Sequence, residues 1–178
     1  PSGGADDDLI VANLVAGGAS AERVSRGLTG MLGELRWQVL WPPARLAGIE
    51  PGNPASVTVE FDPVGECRGG CLSSIFLGDL GRDAQSRVLA ANPQLDRVDV
   101  VKVSHHGSSD QSPPFYERLS ATVGMIGVGI DNGYGHPTDE LLAILARTGT
   151  VAVRTDLDGL ILLAPGASPQ TVTVWTER

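Results

Sequence analysis

The sequence predicts an α/β fold in which a mixed β-sheet packs against helices, and two features support this. In the second half of the chain, short valine-rich segments such as residues 100–103 alternate with helix-like segments, which is typical of parallel strands and their crossover helices. In the first half, strand-like segments are joined by glycine-containing turns, as in antiparallel hairpins. The 178 residues, 42% of them hydrophobic, suffice for one domain with a buried core.

The individual elements follow from periodicity and from punctuating residues. Leu9, Ile10 and Leu14 have helical spacing after an acidic start, and Ser112 before Pro113 is a helix-start signal. The predicted elements, in chain order, are a helix at 6–16, two strands within 22–43, a hairpin of 56–61 and 72–79, a helix at 81–92, a strand at 100–103, a helix from 113, a strand at 121–129, a helix at 138–149 and strands at 151–156, 160–163 and 171–175.

The charge balance limits the possible partners. Thirteen basic and 21 acidic side chains give a formal charge of −8, the opposite of a broad phosphate-binding face. This chain is therefore not expected to grip DNA strongly. It contains no apolar run of about 18 residues and no signal-peptide pattern at its start, so it is expected to be soluble by itself.

Two cysteines, Cys67 and Cys71, lie between the strands of the predicted hairpin at 56–61 and 72–79. Such a pair could form a disulfide, remain as free thiols or supply half of a metal site. The sequence favours the disulfide because no second cysteine pair exists to complete a zinc site. A disulfide would indicate an oxidising, extracytoplasmic environment.

Polar side chains follow three of the predicted strands. They are Asp79, the adjacent pair His105 and His106, and Asn132 with His136. A carboxylate and neutral imidazoles that converge from separate strand ends can bind a divalent metal ion. Each also has a simpler interpretation: Asp79 could be a turn residue or the N-cap of the next helix, and His136 could be an ordinary loop residue.

The adjacent histidines need separate treatment because successive side chains of a strand point to opposite faces. At most one of them is then expected to bind metal directly, while its neighbour packs, forms hydrogen bonds or contacts substrate. Alternation alone leaves open which of the two is the ligand.

In combination, these segments resemble a known family. "GNPASVTVEF", "FLGD", "VVKVSHHGSS", "GIDNGYGHP" and "VRTDLDG" are similar to the C-terminal half of the metallo-β-lactamase-like domain of the ComEC family, the membrane channel for DNA uptake in competent bacteria. The resemblance runs from about residue 34 to residue 175, and "HHGS" and "NGYGHP" are its most diagnostic parts. It implies that the mixed sheet is the C-terminal half of an αββα sandwich.

The resemblance also implies residue roles. Asp79 matches the metal-bridging aspartate and His105 the late histidine ligand, so these two are the expected metal-binding and catalytic residues. We therefore predict that a ring nitrogen of His105 lies near the Asp79 carboxylate at adjacent strand ends, and that His106 faces away from it because successive strand side chains alternate. The positions expected to support the ligands or to contact substrate are His106, Ser108, Asn132 and His136.

In the superfamily, most of the metal ligands come from an HxHxDH motif in the first half of the fold. That motif is absent here, and the only histidines are at 105, 106 and 136. Residues 1–178 are therefore expected to be a partial domain whose N-terminal half precedes residue 1. We predict that this chain alone is inactive and binds metal weakly or not at all.

For the intact protein, the resemblance implies hydrolysis of the DNA strand that is not imported, with zinc or manganese as the cofactor. Single-stranded DNA and the membrane-channel domain of the same polypeptide would be the partners, and the domain would lie at the cell membrane on its outer side. Two alternatives stay open: a hydrolase of another substrate on the same fold, or a non-catalytic domain of a membrane transporter that binds DNA or a partner.

Overall fold

The computed structural model describes residues 5–65, 67–168 and 170–178, with side chains from residue 8 onward. Within that part of the chain, no helix is long and apolar enough to cross a bilayer. The helices are α1 (Ala5–Ala16), α2 (Arg82–Ala91), α3 (Pro113–Leu119), α4 (Asp139–Arg147) and α5 (Thr155–Asp158). The strands are β1 (Thr29–Leu32), β2 (Leu35–Trp41), β3 (Thr58–Pro63), β4 (Ser74–Phe76), β5 (Val100–Lys102), β6 (Val123–Ile126), β7 (Val151–Arg154), β8 (Ile161–Pro165) and β9 (Val172–Thr176).

Strands β1 to β7 form one mixed sheet in chain order, and β8 and β9 form a separate hairpin. Strands β1 to β4 are antiparallel to their neighbours, and β4 to β7 are parallel. The change follows from the connections: β1 and β2 are joined by a two-residue turn, whereas each parallel pair is separated by a helix long enough for a crossover. The predicted α/β fold with a mixed sheet is confirmed.

The main core lies between this sheet and helices α2, α3 and α4. Ile75 of β4 and Val101 of β5 are fully buried there and pack in one cluster with apolar side chains of all three helices. The helical contributions are Ala84 and Val88 of α2, Phe115 and Leu119 of α3, and Leu141 and Leu145 of α4.

On the opposite face, the β8–β9 hairpin covers only the last strands of the sheet. Ile161 of β8 packs on Val123 and Val153, which belong to β6 and β7. The remainder of that face, on β1 to β4, carries apolar side chains that are partly exposed, such as Phe76 at 45%. Phe76 contacts Phe61 edge to face, with 5.8 Å between the ring centroids.

Most predicted elements are confirmed, and three details differ. Helix α1 is present, but its apolar side chains Leu9, Ile10 and Leu14 are about 60% exposed. Strand β5 ends at Lys102, before the histidines. Strand β7 ends at Arg154, two residues earlier than predicted, because the Asp158 carboxylate accepts a hydrogen bond from the Arg154 amide and the chain turns into α5.

Candidate metal centre

The carboxyl ends of the parallel strands bring the predicted site residues to one edge of the sheet. Asp79 follows β4, His105 and His106 follow β5, and His136 lies in the loop after β6. Because neighbouring parallel strands end at the same edge, the turns after β4 and β5 touch directly: the His105 amide donates to the carbonyl of Gly78 at 3.0 Å. The two residues thus lie at adjacent strand ends, as predicted, and the proximity of the Asp79 carboxylate to a ring nitrogen of His105 stays a prediction.

Asp79 is held by the segment before β3. Its amide donates to the hydroxyl oxygen of Ser56 at 3.1 Å. Gly78 makes this approach possible, since it has a φ of +57° and a Cβ there would lie 2.7 Å from the Cβ of Ser56. Asp79 does not cap the following helix, because the N-cap of α2 is Gly81. Its carboxylate is therefore not used in capping and faces the strand ends.

The two histidines lie in a 3₁₀ turn, Ser104–Gly107, and both have left-handed backbone conformations, with φ of 46° for His105 and 54° for His106. The Nε2 atom of His106 is 3.8 Å from Oδ1 of Asp79. The prediction that His106 faces away from Asp79 is therefore wrong. The alternation of side chains applies only within a strand, and here the strand has already ended.

His106 has the orientation of a histidine that binds a metal. Its Nδ1 lies 2.6 Å from the carbonyl oxygen of Gly127, so Nδ1 carries the proton and donates it. In the neutral form of the ring the lone pair is then on Nε2, which faces Asp79. Metal-binding histidines commonly have this arrangement, with the second ring nitrogen fixed by a carbonyl.

The ring of His105 lies against His136, with 5.8 Å between centroids. Burial lowers the pKa of His136 below its ordinary value, and the proximity of His105 and His106 lowers it further, so His136 is neutral near pH 7. Three imidazoles thus lie at this edge. The assignment of His105 as the metal ligand stays a prediction.

The loop that carries His136 is closed by Asn132. The Asn132 side-chain amide donates to the His136 carbonyl at 2.6 Å, and its oxygen accepts from the Tyr134 amide at 3.0 Å. Asn132 therefore shapes the loop.

Tyr134, which the sequence interpretation missed, stacks on His136 with 6.1 Å between ring centroids and is 87% exposed. Its position between two glycines in "NGYGHP" was the available signal.

Lys102 is a second residue that the sequence interpretation missed. Burial lowers the pKa of its ammonium group, and the negative charge of Asp79 partly offsets that effect. Its Nζ donates to the carbonyl of Val103 at 3.0 Å. A single lysine within an otherwise all-valine strand was the signal that could have identified it.

Ser108 lies beneath the histidine turn. It is 7% exposed, and its hydroxyl accepts from the side-chain amide of Gln111 at 3.2 Å. Its amide donates to the carbonyl of His105 at 3.0 Å. Ser108 is therefore in contact with the backbone that presents the histidines.

The donor atoms at the sheet edge do not form a complete metal cage. In the described part of the chain, the one group of three histidine, cysteine or acidic side chains with donor atoms within 4.8 Å of one another is Glu34, Cys67 and Cys71. That group is no metal site, because Cys67 and Cys71 form a disulfide with 5.7 Å between their Cα atoms. The predicted disulfide is confirmed.

The fold and this edge define a class: an α/β protein in which a carboxylate and imidazoles gather at the carboxyl ends of parallel strands, where such sheets bind ligands.

No family model matches the chain. It is 32% identical over 156 residues to ComE operon protein 3 of Bacillus subtilis (strain 168). The alignment covers 87% of this chain and 19% of that protein, so the chain spans about a fifth of the length of this relative. The similarity supports a relationship to ComEC-type competence proteins.

Proposed function

We propose that this chain is the C-terminal part of an extracytoplasmic, metal-dependent nuclease domain in a ComEC-type DNA-uptake protein. The observation that carries the proposal is the convergence of Asp79 and three imidazoles at one sheet edge, with Nε2 of His106 3.8 Å from Asp79 Oδ1. The similarity to ComE operon protein 3 supports the competence context. The disulfide between Cys67 and Cys71 favours a location outside the cytoplasm.

The open face of the sheet supports the partial-domain part of the proposal. Trp37, Phe61 and Phe76 belong to the face of β2 to β4 that the β8–β9 hairpin does not cover. Apolar patches of this kind mark an interface. A second sheet from the N-terminal half of a metallo-β-lactamase-like domain would cover it, as the hairpin covers β6 and β7.

The residues present fit a divalent metal in part. An aspartate oxygen and a histidine nitrogen are suitable ligands for zinc or manganese, but a stable site takes three or four protein ligands. Asp79 and one of the two adjacent histidines would supply this chain's share, and the rest would come from the N-terminal half. When bound, the metal would lower the pKa of a water molecule and polarise a phosphoryl oxygen.

The chain's own residues would position this chemistry. Ser56 holds the Asp79 turn through its hydroxyl, and the Gly127 carbonyl orients the ring of His106. Tyr134 is exposed beside the histidines and offers a ring on which a base of single-stranded DNA can stack. With a formal charge of −8, the chain leaves most phosphate contacts to other parts of the protein.

Cleavage of single-stranded DNA by the full-length polypeptide with manganese or zinc tests the proposal. We expect Asp79→Ala to reduce metal-dependent cleavage at least about 100-fold, because the remaining ligands cannot hold the metal. Asp96→Ala is the matched control, since Asp96 precedes β5 and lies toward the opposite edge of the sheet. Full activity in Asp79→Ala would contradict the proposal. Metal-dependent cleavage by the 178-residue chain alone would contradict the partial-domain part.

The two adjacent histidines can be separated by zinc binding to the full-length polypeptide. The family resemblance implies His105 as the ligand, whereas the contact with Asp79 favours His106. We expect His106→Ala to weaken zinc binding more than about 10-fold and His105→Ala to have the smaller effect. The reverse order would assign the ligand to His105, as the resemblance implies.

A further inference from the structure

A buried network of polar side chains lies beneath the candidate metal centre. Gln85 of α2 and Gln111, between the histidine turn and α3, are both fully buried. The Gln85 amide donates to the side-chain oxygen of Gln111 at 2.6 Å. The Tyr116 hydroxyl of α3 donates to the same oxygen at 2.8 Å. Burial raises the pKa of Tyr116, which keeps this hydroxyl protonated as a donor.

These two bonds fix the orientation of the Gln111 amide. Because its oxygen accepts from Gln85 and Tyr116, its nitrogen must point toward the histidine turn. There it donates to the Ser104 carbonyl and to the Ser108 hydroxyl, both at 3.2 Å. Gln111 therefore contacts the residue before the two histidines and the residue after the turn.

Ser104 connects the same network to the Asp79 turn. Its hydroxyl lies 3.2 Å from the Gly78 carbonyl and 2.7 Å from the Leu80 carbonyl, which flank Asp79 on either side. The Leu80 carbonyl also accepts from the Gln85 amide at 2.8 Å. The Asp79 turn and the histidine turn are thus hydrogen-bonded to the same buried network, which consists of Ser104, Gln85 and Gln111.

The histidine turn needs such support. Two consecutive non-glycine residues with positive φ persist only where the surroundings over-determine the backbone. The side chains of His106 and Asp79 are 53% and 39% exposed, so their own packing cannot supply that support. Buried polar side chains destabilise the fold unless their hydrogen-bond donors and acceptors are paired. Gln111 and Ser104 meet this condition through hydrogen bonds to backbone carbonyls of the two turns.

We propose that Gln111, oriented by Gln85 and Tyr116, is a positioning residue that sets the placement of His106 relative to Asp79 for metal binding. The part of this inference that concerns metal rests on the proposed function. The part that concerns the backbone of the turn does not, and the two can be measured separately.

The first measurement is amide hydrogen exchange in the 178-residue chain. Gln111→Met keeps the length of the side chain and removes its hydrogen bonds. We expect exchange at the His105 amide, which donates to Gly78, to rise at least about 10-fold relative to the β5 amides. Tyr116→Phe, which removes one hydroxyl, should also raise exchange at the His105 amide, but by a smaller factor.

Asn92→Leu is the matched control. Asn92 is also a buried amide, at the end of α2, and donates to the carbonyls of Val88 and Leu40 rather than to the histidine turn. Asn92→Leu should not raise exchange at the His105 amide relative to the β5 amides. If Gln111→Met leaves His105 exchange unchanged relative to β5, or changes both equally as a general loss of stability would, the positioning role is overturned.

The second measurement is zinc binding by the full-length polypeptide. We expect Gln111→Met to weaken zinc binding about 10-fold, as loss of groups that orient ligands typically does, and Asn92→Leu to leave it unchanged. Faster His105 exchange with unchanged zinc affinity would overturn the role in metal binding. Absence of zinc binding by the unsubstituted polypeptide would instead mark failure of the proposed function.

Discussion

The parallel and antiparallel parts of the seven-stranded sheet differ in how they are covered. Strands β5 to β7 have helices on one face, and the β8–β9 hairpin covers β6 and β7 on the other. Strands β1 to β4 have a partly exposed apolar face, where the indole of Trp37 lies directly over Gly30 and leaves no room for a Cβ there. In the candidate metal centre, the three histidines follow the better covered strands β5 and β6, and Asp79 follows β4 at the boundary between the two parts.

The difference shows what each part of the sheet can support. A left-handed turn and buried glutamines persist where packing surrounds them, and the covered part provides that packing. The open face of the antiparallel part instead leaves apolar side chains such as Phe76 partly exposed. We therefore expect substitutions at the covered end of the sheet to be costly and matched substitutions on the open face to be mild.

The largest effect is expected at Gly107, which ends the histidine turn. It has a φ of +87°, and a Cβ would lie 2.6 Å from the Cβ of Pro137 and 2.8 Å from Leu141. Gly107→Ala should lower the free energy of unfolding by about 3 kcal/mol, because the backbone strain and the steric overlap add. Urea denaturation measures this. The substitution should also perturb the NMR signals of His105 and His106.

Gly129→Ala is the control for that substitution. Gly129 lies in the loop after β6, its φ is not positive, and no atom lies within 4 Å of the position of an added Cβ. The expected change is within about 0.5 kcal/mol. Equal effects at Gly107 and Gly129 would show that the turn is not packed as described.

A pair of valines compares the two parts of the sheet directly. Val101 of β5 is fully buried against the helices, whereas Val59 of β3 is only partly buried on the open face. Val101→Ala should cost about 2–3 kcal/mol, since it removes buried methyl groups and leaves a cavity, and Val59→Ala should cost less than about 1 kcal/mol. Thermal unfolding of both variants measures the difference. A larger cost at Val59 would mean that its face is covered.

Much of this fold could be predicted from the sequence because its elements are bounded by glycine and proline. The turn before Leu35 and the helix start at Pro113 have clear signals, and both are present. The position of Asp79 and His105 at one sheet edge also followed from strand order. The disulfide could be favoured but not established, since cysteine spacing alone leaves other possibilities open.

The detailed geometry of the site could not be predicted. The direction of His106 depends on two consecutive positive φ values, which a histidine pair does not signal. The polar segment before α3 looks like a solvated loop, yet Gln111 within it is fully buried because its partners come from α2 and α3. Such contacts depend on tertiary structure, and local patterns do not encode them.

The smallest effect concerns a carboxyl group buried in the antiparallel part. Glu60 of β3 is 8% exposed, and burial, aided by the nearby Asp62, raises its pKa from 4.5 to about 7, although Arg36 opposes the shift. The folded state therefore holds the proton more tightly than the unfolded state. The resulting stability is fully present below pH 4.5 and is lost as the pH rises through about 7.

Glu60→Gln removes this pH dependence, because glutamine stays neutral at every pH. The pKa difference corresponds to about 3 kcal/mol, and we expect the variant to be more stable than the native chain by about 1–2 kcal/mol at pH 8, since solvent screens the charge of a partly accessible group. At pH 4 the two should have similar stability. Glu117→Gln, at an exposed position of α3, is the control and should show no such change between pH 4 and pH 8. Urea denaturation at both values measures the effect, and a Glu60→Gln variant that is less stable at pH 8 would show that the native carboxylate is stabilised there by its charge.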